Sequence, residues 1–170
     1  MPLIRSLPLP SGVTGRVHLS AMPGRVGGWQ IARDRIAAEG IDTVLCLTPI
    51  DEIEDKSPAY AAAIKDGKLA WRQWMMPMED FGLPESRDAY LDQVKLAADH
   101  LRAGGSLLVH CAFGYGRTGT TATCVLMALG VGHDAALAQV EAAGSYPEDP
   151  RQKALIRWVG DKLGSTSPNL

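Results

Sequence analysis

The residues of this chain best suited to chemistry are a cysteine and an arginine six positions apart, with two glycines between them. They lie in the run His110-Cys111-Ala112-Phe113-Gly114-Tyr115-Gly116-Arg117-Thr118-Gly119. A thiolate is a strong nucleophile, and a guanidinium can hold two oxygens of a tetrahedral anion through paired hydrogen bonds. These residue types at this spacing therefore indicate a cysteine nucleophile beneath a bound phosphate.

The elements on either side of this run predict how it is held. The apolar run 106–109 indicates a buried strand, and the apolar residues 120–129 indicate a buried helix. A glycine-rich turn between a strand and a helix directs backbone N–H groups and the helix N-terminus toward one point, which suits an anion. Gly114 and Gly116 permit the backbone conformations of such a loop. The same positive field favours the thiolate form of a cysteine at its base.

The rest of the chain alternates between strand and helix patterns. Strands are predicted at 15–20 (as an edge strand), 41–47, 69–76 and 106–110, and helices at 29–39, 57–66, 84–102, 120–129, 135–143 and 150–162. Such alternation predicts an α/β fold, a single domain with a mainly parallel central sheet and helices on both faces. Ligands of these folds gather beyond the carboxyl ends of the strands, where the cysteine run lies.

Length and composition are those of an ordinary globular protein. The chain has 170 residues, 46% of them hydrophobic and 21% charged, with a net charge of −2. We therefore expect one folded domain over 16–164, an extended lead-in over 1–15 and a frayed tail over 165–170. The charge gives no reason to expect nucleic acid or a membrane as a partner. Three cysteines without a short-spaced pair predict neither a disulfide framework nor a zinc site, and favour a cytoplasmic location. The sequence does not indicate an oligomeric state.

The cysteine run resembles a known motif. It is similar to the His-Cys-x5-Arg-Ser/Thr motif of protein tyrosine phosphatases, and its Gly-x-Gly-Arg-Thr-Gly part resembles the dual-specificity branch, most of all the compact kinase-associated phosphatase type. The resemblance extends from about Val17 to Trp158 and makes 16–164 a phosphatase domain. It implies that His110 orients the loop and that Thr118 donates a hydrogen bond to the departing sulfur. Phosphate would be bound by Ala112, Phe113, Gly114, Tyr115 and Gly116, together with Arg117.

A second catalytic residue is required, because the oxygen that leaves phosphorus needs a proton and nothing in the cysteine run can supply one. The segment 77–84 follows the predicted strand 69–76, so it lies at the same edge of the sheet. The resemblance implies that Asp80 in this segment is the general acid, with Glu79 as the alternative.

These roles imply a reaction in two steps. A phosphocysteine forms on Cys111 while Asp80 protonates the leaving oxygen, and Asp80 then serves as the base for hydrolysis. No metal or cofactor is expected. The leading substrates are proteins that carry phosphotyrosine, phosphoserine or phosphothreonine.

Other functions of the same kind of loop stay open. Phosphoinositide and inositol-phosphate phosphatases share it, although the variable positions here contain no lysine. The acidic segment 51–55, expected to be a solvated loop near the same rim, would repel such polyanions. Arsenate reductases and sulfurtransferases are weaker alternatives, because they do not explain the arginine motif and the Asp80 loop together. A non-catalytic phosphate-binding module is weaker too, because such proteins usually lack the Cys, Arg or Asp, and all three are present here.

The remaining candidate residues have simpler interpretations beside the functional ones. Cys46 ends the predicted strand 41–47; we favour core packing, while the resemblance leaves open a redox partner for Cys111. Cys124 is expected in the core. Phe113 and Tyr115 could shape the rim or pack outward. Histidines expected at the surface or at helix ends are His18, His100 and His133. Tryptophans expected to pack against the core are Trp71, Trp74 and Trp158.

Overall fold

A computed structural model describes residues 4–165 of the chain, with the side chains through residue 164. Within that range there are five strands and seven helices. The strands are β1 (Ile4–Leu7), β2 (Arg16–Ser20), β3 (Thr43–Cys46), β4 (Arg72–Met75) and β5 (Ser106–His110). The helices are α1 (Trp29–Ala38), α2 (Ile50–Lys56), α3 (Pro58–Lys65), α4 (Arg87–Arg102), α5 (Gly116–Ala128), α6 (His133–Ala142) and α7 (Pro150–Ser165).

The five strands form one sheet in the order β1-β2-β5-β3-β4. β1 is antiparallel to β2, and the other neighbours are parallel. The last residues of the three central strands are level, because His110 pairs in register with both Ser20 and Cys46. The loops that follow these strands therefore leave the same edge of the sheet together, which is where parallel sheets place their ligands.

Helices cover both faces of the sheet and form two cores. Alternate residues of β5 point to opposite faces, as the pleat requires. Leu107 and Val109 join a core that includes Val94 of α4, and Leu108 joins another that includes Ile53 of α2. The prediction of a single α/β domain with helices on both faces of a mainly parallel sheet is confirmed.

Two helices begin at signals that are visible in the sequence. Ser86 stands just before α4, and its Oγ accepts a hydrogen bond from the Ala89 N–H at 3.2 Å. This satisfies one of the N–H groups that a first turn leaves unpaired. Pro58 occupies the first position of α3, where its missing N–H costs nothing.

Two segments differ from the sequence-based expectation. The segment 15–20 was expected to be an edge strand, but β1, which lies within the predicted lead-in 1–15, pairs with it and takes the edge. The acidic segment expected to be a loop is helix α2, which buries Ile53. Acidic residues in its first turn suit the positive end of the helix dipole. The predicted frayed tail 165–170 lies outside the described residues, apart from the backbone of Ser165.

One prediction for an individual side chain is wrong. His18 was expected at the surface but is 3% exposed, because pairing with β1 makes β2, which carries it, an interior strand of the sheet. This burial lowers the pKa of its imidazole. The core packing expected of Cys124 is confirmed, as is the packing of the tryptophans Trp71, Trp74 and Trp158.

Candidate active site

The loop from β5 to α5 carries the predicted nucleophile. Cys111 follows the last residue of β5 directly, and α5 begins at Gly116. The thiol is 2% exposed, and the Gly114 N–H donates to its Sγ at 3.2 Å. Gly114 has a φ of 81°, and a Cβ at this position would stand 2.7 Å from the backbone of Ser20. Only glycine suits both this conformation and this close approach.

Arg117, in the first turn of α5, is held by acceptors from two other parts of the chain. Its side chain is 1% exposed. Nη1 donates to Glu52 Oε2 and to the Met78 carbonyl, each at 2.9 Å, and Nη2 donates to Glu52 Oε1 at 3.0 Å. Burial acts to lower the pKa of Arg117, but the hydrogen bond to Glu52 and the neighbouring Cys111, Glu52 and Asp80 raise it overall. The guanidinium is therefore a fixed positive charge beside the cysteine loop.

Asp80 lies against that guanidinium. Its Oδ1 accepts from Arg117 Nη2 at 3.3 Å and from the Phe81 N–H at 3.1 Å. The Asp80 side chain is 45% exposed, so it faces the opening of the site. The Glu79 carboxylate is exposed and makes no such contact among the described residues. Of the two candidate acids, the structure brings Asp80 to the arginine.

His110 is the middle of a buried hydrogen-bond chain. Burial lowers its pKa to about 4, although a hydrogen bond to the Cys111 backbone opposes the shift. The imidazole is therefore neutral at pH 7. Nδ1–H donates to the Cys111 carbonyl at 3.1 Å, since a carbonyl can only accept, and Nε2 accepts from the Tyr60 hydroxyl at 2.9 Å. Gln73 Nε2 donates in turn to the Tyr60 oxygen at 2.8 Å.

Thr118 is the next residue of α5 and is fully buried. Its Oγ1 has no hydrogen-bond partner in the part of the chain that the structure describes. Buried hydroxyl groups are rarely left in this state. The side chain is thus able to donate a hydrogen bond that no neighbouring residue uses.

Cys46 ends the strand next to β5, in register with His110. It is fully buried, and its Sγ donates to the Thr48 carbonyl at 3.5 Å. Burial raises the pKa of this thiol to about 12. Cys46, Cys111 and Cys124 are all free thiols.

Two aromatic side chains of the loop face solvent, and a third aromatic ring lies beside them. Phe113 and Tyr115 are 44% and 37% exposed, and neither enters a core. The Arg25 guanidinium lies 4.0 Å from the centre of the Phe113 ring. The Tyr115 and Tyr146 rings stack with their centres 6.0 Å apart.

The sequence analysis missed two carboxylates of this site. Glu52 was noticed only as part of the acidic segment, and the need of a buried arginine for a carboxylate could have identified it. Glu148, which no motif marked, has its carboxylate next to the backbone of Gly116. Burial and the nearby Asp80 raise the pKa of Glu148, while Arg117 and the Gly116 backbone oppose the shift.

The family of this chain follows from a comparison with known families. A family model described as "Swiss Army Knife protein, DSP-PTPase phosphatase domain" matches residues 23–156. The chain therefore belongs to this family, within the dual-specificity phosphatase superfamily. The predicted superfamily is confirmed.

Solved structures with the same fold include three phosphatases. Kinase-associated phosphatase, with its catalytic cysteine replaced by serine, has a TM-score of 0.82 at 18% identity, over 98% of this chain and 99% of that one. Tk-PTP in its active form has a TM-score of 0.67 at 24% identity, over 88% and 95% of the two chains. PTPMT1 in complex with PI(5)P has a TM-score of 0.71 at 16% identity, over 88% and 92%. At these identities the likeness concerns the fold alone.

A relative by sequence is a protein of Cupriavidus necator strain H16, provisionally named a tyrosine-protein phosphatase. The two sequences are 27% identical over an alignment of 165 residues, and the alignment covers 86% of this chain. The chain spans 59% of the length of that relative.

Within residues 4–165, no helix is both long enough and apolar enough to cross a membrane. Among the described side chains, no group of three or more His, Cys, Asp or Glu is placed to hold a metal ion.

Proposed function

We propose that this chain is a phosphomonoester hydrolase that works through a phosphocysteine on Cys111. The observation that carries the proposal is the position of Arg117. It is buried, fixed by Glu52 and in contact with Asp80, and it lies at the start of the helix that follows the cysteine. A fixed cation, a nucleophile and an acid around one loop are the groups that phosphate transfer to a thiol requires.

In the first step, the Cys111 thiolate attacks phosphorus in line with the ester oxygen. The S–P bond forms as the P–O bond breaks, and the departing oxygen takes a proton from Asp80. The Arg117 guanidinium and the loop N–H groups of residues 112–116 bind the three phosphoryl oxygens that stay on phosphorus.

In the second step, Asp80 is a carboxylate and takes a proton from a water molecule whose oxygen attacks phosphorus. The P–S bond breaks, which releases inorganic phosphate and restores the thiolate. The unused hydroxyl of Thr118 donates to the departing sulfur, and His110 holds the Cys111 carbonyl. The scheme requires no metal or cofactor.

We propose phosphorylated proteins as the substrates. The variable loop positions Ala112, Phe113 and Tyr115 are uncharged, which disfavours ligands with several phosphates. The acidic helix α2 contributes less to this preference than the sequence suggested, because Glu52 is paired with Arg117 and Glu54 with Lys65. The exposed rings of Phe113 and Tyr115 suit the side chain of phosphotyrosine. The relative named a tyrosine-protein phosphatase agrees with this choice.

Phosphoinositides are the second candidate substrates, because PTPMT1 has been solved with PI(5)P in the same fold. The test is a comparison of kcat/KM for a phosphotyrosine peptide, a phosphothreonine peptide, PI(5)P and an inositol polyphosphate. We expect the peptides to be preferred, and a clear preference for either inositol compound would contradict the proposed substrate. Arsenate and thiosulfate test the reductase and sulfurtransferase alternatives in parallel. Turnover of no phosphate ester would favour a non-catalytic binding module.

Cys46 is either a residue of the core or a redox partner of Cys111. It lies in register with His110, the residue before Cys111, on the neighbouring strand. Its raised pKa favours core packing, because a thiol must lose its proton before it attacks an oxidised partner. We propose that Cys46 is a core residue in a reducing, cytoplasmic setting. The test is recovery by thiols after peroxide treatment: equal recovery in Cys46→Ser supports core packing, and lost recovery would identify a redox partner.

A further inference from the structure

The edge strand β1 contacts the catalytic loop through the side chain of Arg5. The guanidinium is half-buried, and its Nη2 donates to the Gly114 carbonyl at 2.8 Å. Nη1 donates to the Ala143 carbonyl at the end of α6, at 2.6 Å. The buried Ser145 hydroxyl donates to the same Gly114 oxygen at 2.6 Å. The Gly114 carbonyl therefore has two donors, which is the number its lone pairs can accept.

Most carbonyls of the loop are held in a comparable way. The donors are the Met22 N–H to Ala112 O (3.2 Å), the Gly119 and Tyr146 N–H groups to Tyr115 O (2.7 and 3.2 Å), the His110 ring to Cys111 O (3.1 Å) and the Thr120 hydroxyl to Gly116 O (2.7 Å). The Gly114 carbonyl differs from these because both of its donors are side chains from outside β5 and α5, and one carries a charge.

The orientation of this carbonyl determines where an N–H group points. The described residues contain no cis peptide bond, and the C=O and N–H of a trans peptide point in opposite directions. A Gly114 oxygen held by Arg5 and Ser145 therefore directs the Tyr115 N–H away from both. Glycine at 114 allows its peptide to rotate at low cost, so the loop alone does not fix this orientation.

We propose that Arg5 is a positioning residue of the catalytic loop, which acts with Ser145 to keep the Tyr115 N–H directed at a bound oxyanion. This inference rests on the proposed function, because it assumes that the loop binds the phosphoryl group. The electrostatic environment agrees with it. Burial lowers the pKa of Arg5 overall, and the neighbouring Tyr115 and Cys111 oppose the shift, so the guanidinium lies within electrostatic range of the cysteine loop.

The test is tungstate binding, measured by calorimetry at a temperature well below melting. Tungstate is a tetrahedral oxyanion that binds without turnover. Arg5→Met should weaken its binding by about tenfold, as expected for the loss of charged hydrogen bonds. Arg5→Lys should fall between Arg5→Met and the wild type, because an ammonium keeps the charge but lacks the planar fork that reaches two carbonyls. Ser145→Ala should also weaken binding, by a smaller factor.

The matched control is Arg16→Met, which removes an exposed arginine from the opposite end of the neighbouring strand. It should bind tungstate as tightly as the wild type. If Arg5→Met does not fold, Arg5→Lys and Ser145→Ala take its place. Folded variants at Arg5 and Ser145 that bind tungstate as tightly as the wild type would overturn the inference, even if they melt at lower temperature. If tungstate binding depends on Arg5 but the chain hydrolyses no phosphate ester, the inference about Arg5 stands and only the proposed function is overturned.

Discussion

Glu52 and Arg117 form a two-point ion pair between helix α2 and the first turn of α5. The two carboxylate oxygens accept from Nη1 and Nη2 at 2.9 and 3.0 Å, and the two side chains are 15% and 1% exposed. Two parallel hydrogen bonds fix the plane of a guanidinium as well as its position. Glu52 therefore fixes the plane and the position of the Arg117 guanidinium beside the cysteine loop.

Removal of Glu52 should impair both activity and stability. We expect Glu52→Ala to lower kcat/KM for an aryl phosphate by about a hundredfold, because a catalytic group misplaced by about 1 Å loses that much. The unfolding free energy should fall by about 3 kcal/mol, since a buried charge loses its partner. Steady-state kinetics and urea unfolding measure the two effects. Glu54→Ala on the same helix is the control, and wild-type activity in Glu52→Ala would show that Arg117 needs no such support.

Asp80 should matter most when the leaving group is poor. A nitrophenolate departs without help, whereas phenolate needs a proton as the P–O bond breaks. Asp80→Asn should therefore reduce kcat/KM, which reports the first step alone, by about 10²- to 10³-fold for phenyl phosphate and by less for p-nitrophenyl phosphate. Glu79→Gln is the matched control and should change neither value. Equal losses of kcat/KM on both substrates would exclude Asp80 as the general acid.

Thr118→Val should slow the second step rather than the first. The substitution keeps the shape of the side chain and removes the hydroxyl that has no partner among residues 4–165. Rapid-mixing experiments should show a burst of released phenol and then a steady rate about tenfold below the wild type, the effect of one hydrogen bond to a charged atom. Thr123→Val, elsewhere in α5, should show no burst. A Thr118→Val variant with unchanged steady rate would leave the hydroxyl without a catalytic role.

The pKa of His110 predicts a loss of stability in mild acid. Burial lowers it to about 4 in the folded chain, from an ordinary value of 6.5. Between these values the unfolded chain binds a proton that the folded chain does not. Stability should therefore fall as the pH drops below 6.5, by up to about 1.4 kcal/mol per pH unit. The buried His18 acts in the same direction.

Urea unfolding at pH 7 and pH 5 measures this effect. His110→Asn should be less stable than the wild type at pH 7 but should lose less stability between pH 7 and pH 5. The exposed His133 is the control, and His133→Asn should lose as much stability between the two pH values as the wild type does. The same loss in the wild type and in both variants would mean that His110 is not held neutral by burial.

The position of the loop that carries Cys111 and Arg117 could be predicted from the sequence because its signals are local. The strand, the two glycines and the start of the helix lie within about 25 residues. Cys111 and Arg117 both belong to this short stretch, so their spacing can be read directly from the sequence. The place of the segment 77–84 could be predicted as well, because parallel strands end at one edge of the sheet. The choice of Asp80 over Glu79 within it came from the family resemblance.

The supports of the loop could not be predicted in the same way. Glu52 is 65 residues from Arg117, and Arg5 is 109 residues from Gly114. Each contact depends on how separate elements pack, which no periodicity in the sequence records. Strand β1 could not be predicted for the same reason. Its apolar pattern is short and flanked by prolines, and only its pairing with β2 makes it a strand.

During turnover, the phosphoryl group should pass through Cys111. The most direct measurement is a rapid denaturant quench of the chain during turnover of p-nitrophenyl phosphate, followed by mass spectrometry of the peptide that contains Cys111. We expect this peptide to gain one phosphoryl group, more so in Thr118→Val, and we expect Cys111→Ser to show neither label nor turnover. Turnover by Cys111→Ser, or a phosphoryl group on a different residue, would contradict the proposed chemistry.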